Sequence, residues 1–306
     1  MDNKPFNFNH FLIAPMTGSY KGYKYKLAYL IAHIFSLINR VLPYPQPLSA
    51  LPVETMGLSF PNPVGLAAGF DRYGRFLAYS ERIGFGFIEI GTINVNAADE
   101  SDSTVLATLH NLKKATHHHK NSQQRRGISL GSLNQNLNKH AVADFAKGMA
   151  LFWPYADYIV INLSRPNSPT RDPSLDPEEL KSFLTNIKHS HSQLASDYGR
   201  YVPIVAKIAI DHGRNEHIAE VLLSLKAQRF DGVVIAFENW PDIRQVSDYV
   251  RRLKSANDGF PLIVVGGISS TEEIQQLRVA GASLVQVFSS LVQQGPLRMQ
   301  KMISNT

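Results

Sequence analysis

The chain of 306 residues contains no cysteine. Disulfides, thiolate metal sites and a cysteine nucleophile or base are therefore excluded. This composition fits a reducing compartment, and we expect a cytoplasmic protein. Charged residues make up only 18% of the chain and hydrophobic residues 44%. Those are ordinary globular values, so the sequence predicts a folded domain and not a disordered chain.

The sequence also lacks an apolar run long enough to cross a bilayer and a recognisable secretory signal. Its most apolar N-terminal stretch, residues 27–38, has 12 residues, whereas a spanning helix needs about 20. Lys21, Lys24 and Lys26 precede this stretch. Residues 21–42 therefore predict a short helix that could lie in a membrane interface, peripherally on the inner face of the cell membrane. The alternative is a helix packed on the body of the protein.

The net charge of +6 suits an anionic partner, such as a phosphorylated cofactor or an anionic lipid surface, or simply a basic surface. Nucleic-acid binding is not favoured, because the basic stretch 113–126 lacks interleaved aromatics. The run His117–His119 could suggest a metal site. Consecutive residues cannot all face one ion, and no suitable partner stands at useful spacing, so we predict no metal.

Eight short, β-rich apolar runs recur after residue 60. They are uniformly apolar and do not alternate with polar residues, which indicates strands buried on both faces of a parallel sheet. Eight such strands with intervening helices predict an α/β fold, a (β/α)₈ TIM barrel over residues 51–306, after a helical extension at 1–50. A doubly wound open sheet is the competitor, but no Gly-x-Gly-x-x-Gly follows the first strand. The runs are 64–68, 86–91, 127–130, 157–163, 202–208, 231–236, 261–265 and 283–288.

Two further segments stand out from this regular pattern. Residues 56–63 predict a small hairpin before the first barrel strand. Residues 93–126 form a long, polar and basic connection between the second and third strands. Connections of this length are commonly functional or disordered.

Active sites of such barrels lie at the carboxyl ends of the strands. Small residues there, such as Gly69, Gly91 and Gly267, let a flat ring or a phosphate approach the backbone closely. The loop-to-helix starts at 266–267 and 289–290 predict a phosphate cradle built from backbone N–H groups.

Lys207 is the sharpest single feature, because it lies within an apolar strand. Lysine is seldom fully buried without a partner, so a neighbouring anion or a reduced cofactor is expected. A lysine that faces N1 of a flavin would stabilise negative charge on the reduced isoalloxazine. The alternative is a strand-end lysine that reaches solvent.

With these features the chain resembles the quinone-dependent, membrane-associated class of dihydroorotate dehydrogenases. The matching segments run in order from about residue 55 to the C-terminus, and the final block is the most specific. They are residues 56–69, 84–92, 158–164 with Pro166-Asn167, 201–209, 265–268, 280–287 and 294–296.

The resemblance implies a (β/α)₈ barrel that binds FMN, oxidises dihydroorotate to orotate in pyrimidine biosynthesis, and passes electrons to a membrane quinone. Residues 21–42 occupy the place of the helical segment that receives the quinone. Asn162 and Asn167 would face the substrate. The implied flavin contacts are Ala68, Gly69, Thr92, Asn162, Lys207, Gly267 and Ser289, with Ser129 where the family has an asparagine.

The chain departs from the family mainly on the substrate side. Arg165 stands where the family has its serine base, and an arginine cannot accept a proton in a protein. Ser164, Ser168 or a histidine of the connection 93–126 would have to replace that base. Arg72 replaces a lysine, and Arg72 and Arg165 could clamp a carboxylate or phosphate. The family's asparagine-rich substrate loop has no recognisable counterpart in the connection.

Two strand-end residues also differ, because Ala236 and Phe237 replace a threonine and a substrate-binding asparagine. A phenylalanine in the pocket would make it more apolar. Three hypotheses therefore stay open. They are an FMN oxidoreductase acting on dihydroorotate, a flavin oxidoreductase with another substrate, and a non-catalytic barrel that serves as a binding or regulatory protein.

Overall fold

The computed structural model describes residues 52–118, 122–134, 136–164, 176–213, 217–257 and 259–306. Ten strands and eight α-helices are found in these residues. The strands are β1 (Val53–Thr55), β2 (Leu58–Phe60), β3 (Val64–Asp71), β4 (Phe87–Val95), β5 (Arg125–Ser132), β6 (Tyr158–Asn162), β7 (Ile204–Asp211), β8 (Gly232–Glu238), β9 (Leu262–Val265) and β10 (Leu284–Val287). The helices are α1 (Leu77–Ile83), α2 (Ser103–His118), α3 (Lys139–Phe152), α4 (Pro177–Tyr198), α5 (Ile218–Ala227), α6 (Ile243–Ala256), α7 (Thr271–Val279) and α8 (Ser289–Ser304).

Strands β3 to β10 close into a parallel barrel in chain order, with β10 paired to β3. Alternate side chains along each strand point outward into the layer between strands and helices, and this layer holds the larger apolar cluster. The remaining side chains point into the barrel, where a second apolar cluster lies. The predicted (β/α)₈ barrel and all eight predicted strands are confirmed.

Several helices begin where the sequence places a capping side chain. Asn138 accepts hydrogen bonds from the first amides of α3, and Asp242 does the same for α6. Asp176 and Ser270 cap α4 and α7. Each cap satisfies amides that have no partner within the helix. These caps fix where each loop at the carboxyl end of the strands returns to a helix.

The antiparallel hairpin of β1 and β2 turns at Met56 and Gly57, so the predicted hairpin is present and begins slightly earlier, at Val53. Its Phe60 packs edge-to-face against Phe87 and Tyr158, with ring centroids 5.4 Å and 6.3 Å away. Phe87 and Tyr158 begin β4 and β6. The hairpin therefore covers the amino-terminal end of the barrel.

The connection 93–126 is more regular than the sequence indicated. Its first residues extend β4 to Val95, and α2 then occupies 103–118 before β5 begins at Arg125. It is an ordinary strand–helix unit of the barrel, so the expectation of a long irregular loop was wrong over this helix. The sequence did not predict α2 because the helix is mostly polar. Val105 and Leu112 are among the few residues of its inner face that are fully packed.

The predicted helical extension at 1–50, including 21–42, lies outside the described residues. Within the described ranges, no helix is both long and apolar enough to pass through a bilayer.

Candidate active site

Lys207 points into the barrel from the middle of β7 and is only 7% exposed. Its Nζ lies 3.8 Å from Oε2 of Glu89, a fully buried carboxylate of β4. Sequence reasoning missed Glu89, although the same signal marks it, a charged residue within an apolar strand. The anion expected beside Lys207 is thus supplied by the protein itself, and the lysine does not by its burial alone require a flavin.

Three side chains from three strands surround the Glu89 carboxylate. Gln286 of β10 donates from Nε2 to Oε1 at 2.5 Å, and the Tyr158 hydroxyl donates to the same oxygen at 3.3 Å. Burial, and then the charge of Glu89, raises the pKa of Tyr158 well above its usual value, so this hydroxyl stays protonated. We call Glu89, Tyr158, Lys207 and Gln286 the interior cluster.

The Lys207 ammonium keeps hydrogen-bonding capacity beyond this cluster. At 3.8 Å its contact with Glu89 is an ion pair that is too long for a hydrogen bond. An ammonium carries three N–H donors. Among the described residues no acceptor lies within hydrogen-bond distance of it. A ligand above Lys207 would find these donors available.

A second group of polar side chains lies at the carboxyl ends of β4, β5 and β6. Asn162 is the register partner of Lys207, and its amide donates to the Thr92 hydroxyl at 2.5 Å. Thr92 and the buried Ser129 share a hydrogen bond of 3.2 Å. The Ser164 hydroxyl and backbone amide both donate to Oδ1 of Asn162, at 2.6 Å and 3.0 Å. The structure thus brings together Thr92, Ser129, Asn162 and Lys207, as the sequence predicted for one site.

The carboxyl ends of the barrel strands form a rim around the open end of the barrel. The rest of this rim is built from residues with little or no side chain. Ala68 and Gly69 are half-buried at the end of β3, and Gly267 and Ser289 are exposed. Gly266 and Gly267 both have positive φ, 141° and 66°. A Cβ at Gly266 would lie 2.5 Å from the Phe237 carbonyl oxygen, whereas one at Gly267 would meet no atom within 4 Å.

The two segments of the predicted phosphate cradle are joined to each other. The Ser290 hydroxyl, at the start of α8, donates to the carbonyl oxygen of Ile268. Open space at Gly267 therefore lies beside a tied loop and a helix start, a setting that suits a phosphate. The donors at Lys207 and Asn162 and the small residues at the strand ends fit a group that carries a flat ring and a phosphate, such as FMN.

Asp71 shapes the loop that follows β3. Its buried carboxylate accepts from the amides of Tyr73, Arg75 and Phe76, at 3.3, 2.9 and 2.8 Å. Desolvation raises its pKa, and these amide bonds oppose the rise. Arg72, predicted to bind substrate, is exposed in this loop.

Phe237 does not enter the pocket, contrary to the sequence expectation. Its ring packs edge-to-face against Trp240 and Tyr249, with centroids 5.1 Å and 6.1 Å away, in the layer outside the barrel. Ala236 carries the inward position on β8 and packs against the interior apolar cluster. Neighbouring residues of a strand point to opposite faces, so with Ala236 inward Phe237 must point outward.

Comparisons with known proteins identify the family. A model of the family described as dihydroorotate dehydrogenase matches residues 108–247. The dihydroorotate dehydrogenase (quinone) of Aliivibrio fischeri (strain MJ11) is 31% identical over 304 residues, covering 86% of this chain and 89% of that protein. That of Methylobacillus flagellatus is 32% identical over 301 residues, covering 83% and 86%. The chain belongs to the dihydroorotate dehydrogenase family.

Solved structures agree with the barrel fold of this family. The crystal structure of DHODH from Eimeria tenella in complex with ferulenol has a TM-score of 0.72 at 21% identity, and covers 96% of this chain and 92% of that one. The ligand-free form gives 0.71. The resemblance inferred from the sequence motifs is confirmed, and the chain is a divergent, dihydroorotate dehydrogenase-like oxidoreductase.

Part of the substrate side predicted from the family lies outside the described residues. Arg165, at the family's base position, and Asn167 and Ser168 all fall there. Ser164 is described, and its hydroxyl is half-buried beside Asn162. No group of three potential metal ligands occurs in the described part of the chain.

Proposed function

We propose that this chain is an FMN-dependent oxidoreductase that oxidises dihydroorotate to orotate at the open end of the barrel and passes the electrons to a quinone. The observation that carries the proposal is the placement of Lys207. Its ammonium points into the barrel at the level of Asn162, and no described acceptor lies within hydrogen-bond distance of it. The names of the bacterial relatives support the substrate and the acceptor.

When bound, FMN would supply the two-electron acceptor that no amino-acid side chain provides. Lys207 would hold a positive charge beneath the ring, where it favours the electron-rich state. Thr92 and Asn162 would orient the ring through the hydroxyl and amide groups that already hold each other. Backbone amides at 266–267 and 289–290 would bind the phosphate.

The substrate would lie above the ring, between Asn162 and the segment that carries Asn167. Arg72 and Arg165 would bind its carboxylate. With an arginine at the family's base position, Ser164 or Ser168 would have to accept the substrate proton. The Ser164 hydroxyl lies beside Asn162 and donates its own hydrogen to Asn162 Oδ1. To accept the substrate proton, Ser164 would have to release its own hydrogen to another acceptor, such as a water molecule, because the Asn162 amide cannot take up a proton.

The proposal is tested by mixing the FMN-loaded protein with dihydroorotate in the absence of oxygen. We expect the flavin absorbance near 450 nm to bleach and to return when a soluble quinone is added. Ser164→Ala should slow the bleaching by about 10²–10⁴-fold if Ser164 is the base. Ser182→Ala, on the exposed face of α4, is the matched control and should bleach at the wild-type rate. Flavin that stays oxidised with dihydroorotate would reject this substrate.

A flavin oxidoreductase with another substrate is the second candidate. It is favoured by the inward position on β8, where Ala236 offers a methyl group in place of the family's threonine hydroxyl. Phe237, at the asparagine position, is turned outward. A protein that binds FMN and is bleached by another small carboxylate, but not by dihydroorotate, would establish this candidate.

A further inference from the structure

We propose that Glu89 is a positioning residue for Lys207, and that it sets how strongly the lysine charge acts on the flavin. The inference rests on the proposed FMN site, because it concerns the charge beneath the ring. Glu89 lies below that site, is fully buried, and touches neither the rim nor solvent. We infer that it acts on the flavin by positioning Lys207, and the test below separates this from a direct effect of its charge.

The hydrogen bonds of Glu89 divide its two oxygens between two tasks. Oε1 accepts from both Gln286 and Tyr158, which fixes the carboxylate in the barrel. Oε2 accepts no hydrogen bond from the described residues and faces the Lys207 ammonium at 3.8 Å. The carboxylate is thus held by one oxygen and presents the other to the lysine.

Gln286 adds a second acceptor in this cluster. Its Oε1 is buried and has no hydrogen-bond partner among the described residues. An ammonium that moved downward would find acceptors at Glu89 and in the cluster around it, and one that moved upward would meet the ring. The carboxylate therefore draws Lys207 away from the ring.

Simple electrostatics gives the sign of the effect. Held toward Glu89, the Lys207 ammonium lies farther from the ring and stabilises its electron-rich state less, because the attraction between two charges falls with their separation. Replacing Glu89 by glutamine keeps an acceptor for Tyr158 and Gln286 but removes the negative charge. The Lys207 ammonium would then be released toward the ring and favour the reduced flavin more strongly, and the midpoint potential should rise.

The test is a double-mutant cycle on the two-electron midpoint potential, measured by anaerobic titration against a reference dye. The proteins are the FMN-loaded wild type, Glu89→Gln, Lys207→Met and the double variant. We expect Glu89→Gln to shift the redox equilibrium about tenfold toward the reduced state, a rise of about 30 mV. Lys207→Met should shift it the opposite way.

The double variant separates an effect through Lys207 from a direct one. If Glu89 acts by positioning Lys207, adding Glu89→Gln to Lys207→Met should change the potential little, because no ammonium is left to position. An unchanged potential in the single Glu89→Gln variant would overturn the proposal. So would an equal shift in the presence and absence of Lys207. Failure of the wild type to bind FMN would instead reject the proposed function.

Two further variants keep the test decisive. Glu178→Gln, at an exposed residue at the start of α4, removes the same charge from the protein surface and should leave the potential unchanged. If Glu89→Gln does not fold, Glu89→Asp keeps the charge but withdraws it by one methylene from Lys207. It should shift the same equilibrium toward the reduced state by less than tenfold, and a shift toward the oxidised state would contradict the proposal.

Discussion

Charged and amide side chains inside otherwise apolar strands mark the functional interior of this barrel. Lys207, Glu89 and Gln286 each occupy an inward position on a different strand, and they meet although up to 197 residues separate them in the chain. The sequence identified the lysine from its position alone. It could not identify which residues surround the lysine, because closure of the barrel and not sequence distance decides the contacts.

Gly267 provides a residue-level prediction for the phosphate side. Alanine there must adopt a φ of 66°, which costs about 1–2 kcal/mol, and its Cβ would enter open space in which no atom lies within 4 Å. We expect Gly267→Ala to weaken FMN binding as well as to lower the free energy of unfolding. Fluorescence titration of FMN and urea denaturation measure the two effects.

Gly57→Ala is the matched control for this prediction. Gly57 has a φ of 70°, and a Cβ at this position would likewise meet no atom within 4 Å, but it lies in the β1–β2 turn at the other end of the barrel. It should lose similar stability and bind FMN normally. Equal FMN affinities for the two variants would show that the phosphate does not use the space at Gly267.

Phe237 provides a prediction that separates packing from binding. Because its ring packs on Trp240 and Tyr249 outside the barrel, Phe237→Ala should lower the free energy of unfolding by about 3–5 kcal/mol. The FMN affinity of the folded variant should not change. Phe183→Ala, at a buried position against Phe145, is the control. It should lower the free energy of unfolding by a similar amount and leave the FMN affinity unchanged. If Phe237→Ala had normal stability but bound FMN weakly, the result would indicate that the Phe237 side chain lines the pocket.

At the scale of elements, strands were predicted better than the polar helix α2. Each barrel strand is buried on both faces, so its run of apolar residues is visible without knowledge of its neighbours. Helix α2 buries few side chains against the barrel, so its polar sequence resembled a loop. The end of β8 also misled the prediction, since one step along a strand reverses the direction of a side chain.

Helix α4 carries a buried histidine that should make stability depend on pH. His191 is fully buried, and its Nε2 lies 2.7 Å from the Val202 carbonyl oxygen. Desolvation lowers its pKa below the usual value of 6.5, with the nearby Lys188 acting in the same direction and Asp231 opposing it. The folded protein therefore binds fewer protons at His191 than the unfolded chain does.

The sign of this effect follows from linkage. The stability contributed by neutral His191 is complete above a pH of about 6.5 and is lost as the pH falls through the window between the unfolded and the folded pKa. In urea denaturation between pH 7.5 and pH 5, His191→Gln should lose less stability than the wild type. His189→Gln, an exposed position on the same helix, should match the wild type. Parallel curves for all three proteins would exclude His191 as the cause.

At the scale of the whole molecule, the barrel separates stability from chemistry at its two ends. The hairpin and the aromatic residues Phe60, Phe87 and Tyr158 fill the amino-terminal end. Glycines, small polar residues and Lys207 line the other end. The fold, and the placement of Thr92, Asn162 and Lys207 together at one end of the barrel, could be predicted from the sequence, since strand runs and strand-end residues are local features. The substrate side could not, because it depends on loops whose contacts are not local.

The basic segment at 21–42 gives a prediction for the full chain. If it lies in a membrane interface, Lys21, Lys24 and Lys26 each contribute about 1 kcal/mol of attraction to anionic lipid. Changing all three to glutamine should reduce binding to phosphatidylserine-containing vesicles by about 100-fold in a flotation assay at low salt. The charge-matched control changes the exposed residues Lys139, Lys181 and Lys301, and should bind as the wild type does. Equal loss in both would indicate a general charge effect.

The central claim is that FMN binds over Lys207 at the open end of the barrel, and equilibrium binding of FMN tests it most directly. FMN fluorescence should be quenched by the wild-type protein with a stoichiometry of one. Lys207→Met, with a far-UV circular dichroism spectrum like that of the wild type, should bind FMN at least about tenfold more weakly, a loss of about 1.4 kcal/mol. A wild-type protein that does not bind FMN, or a Lys207→Met variant that binds it equally well, would contradict the account.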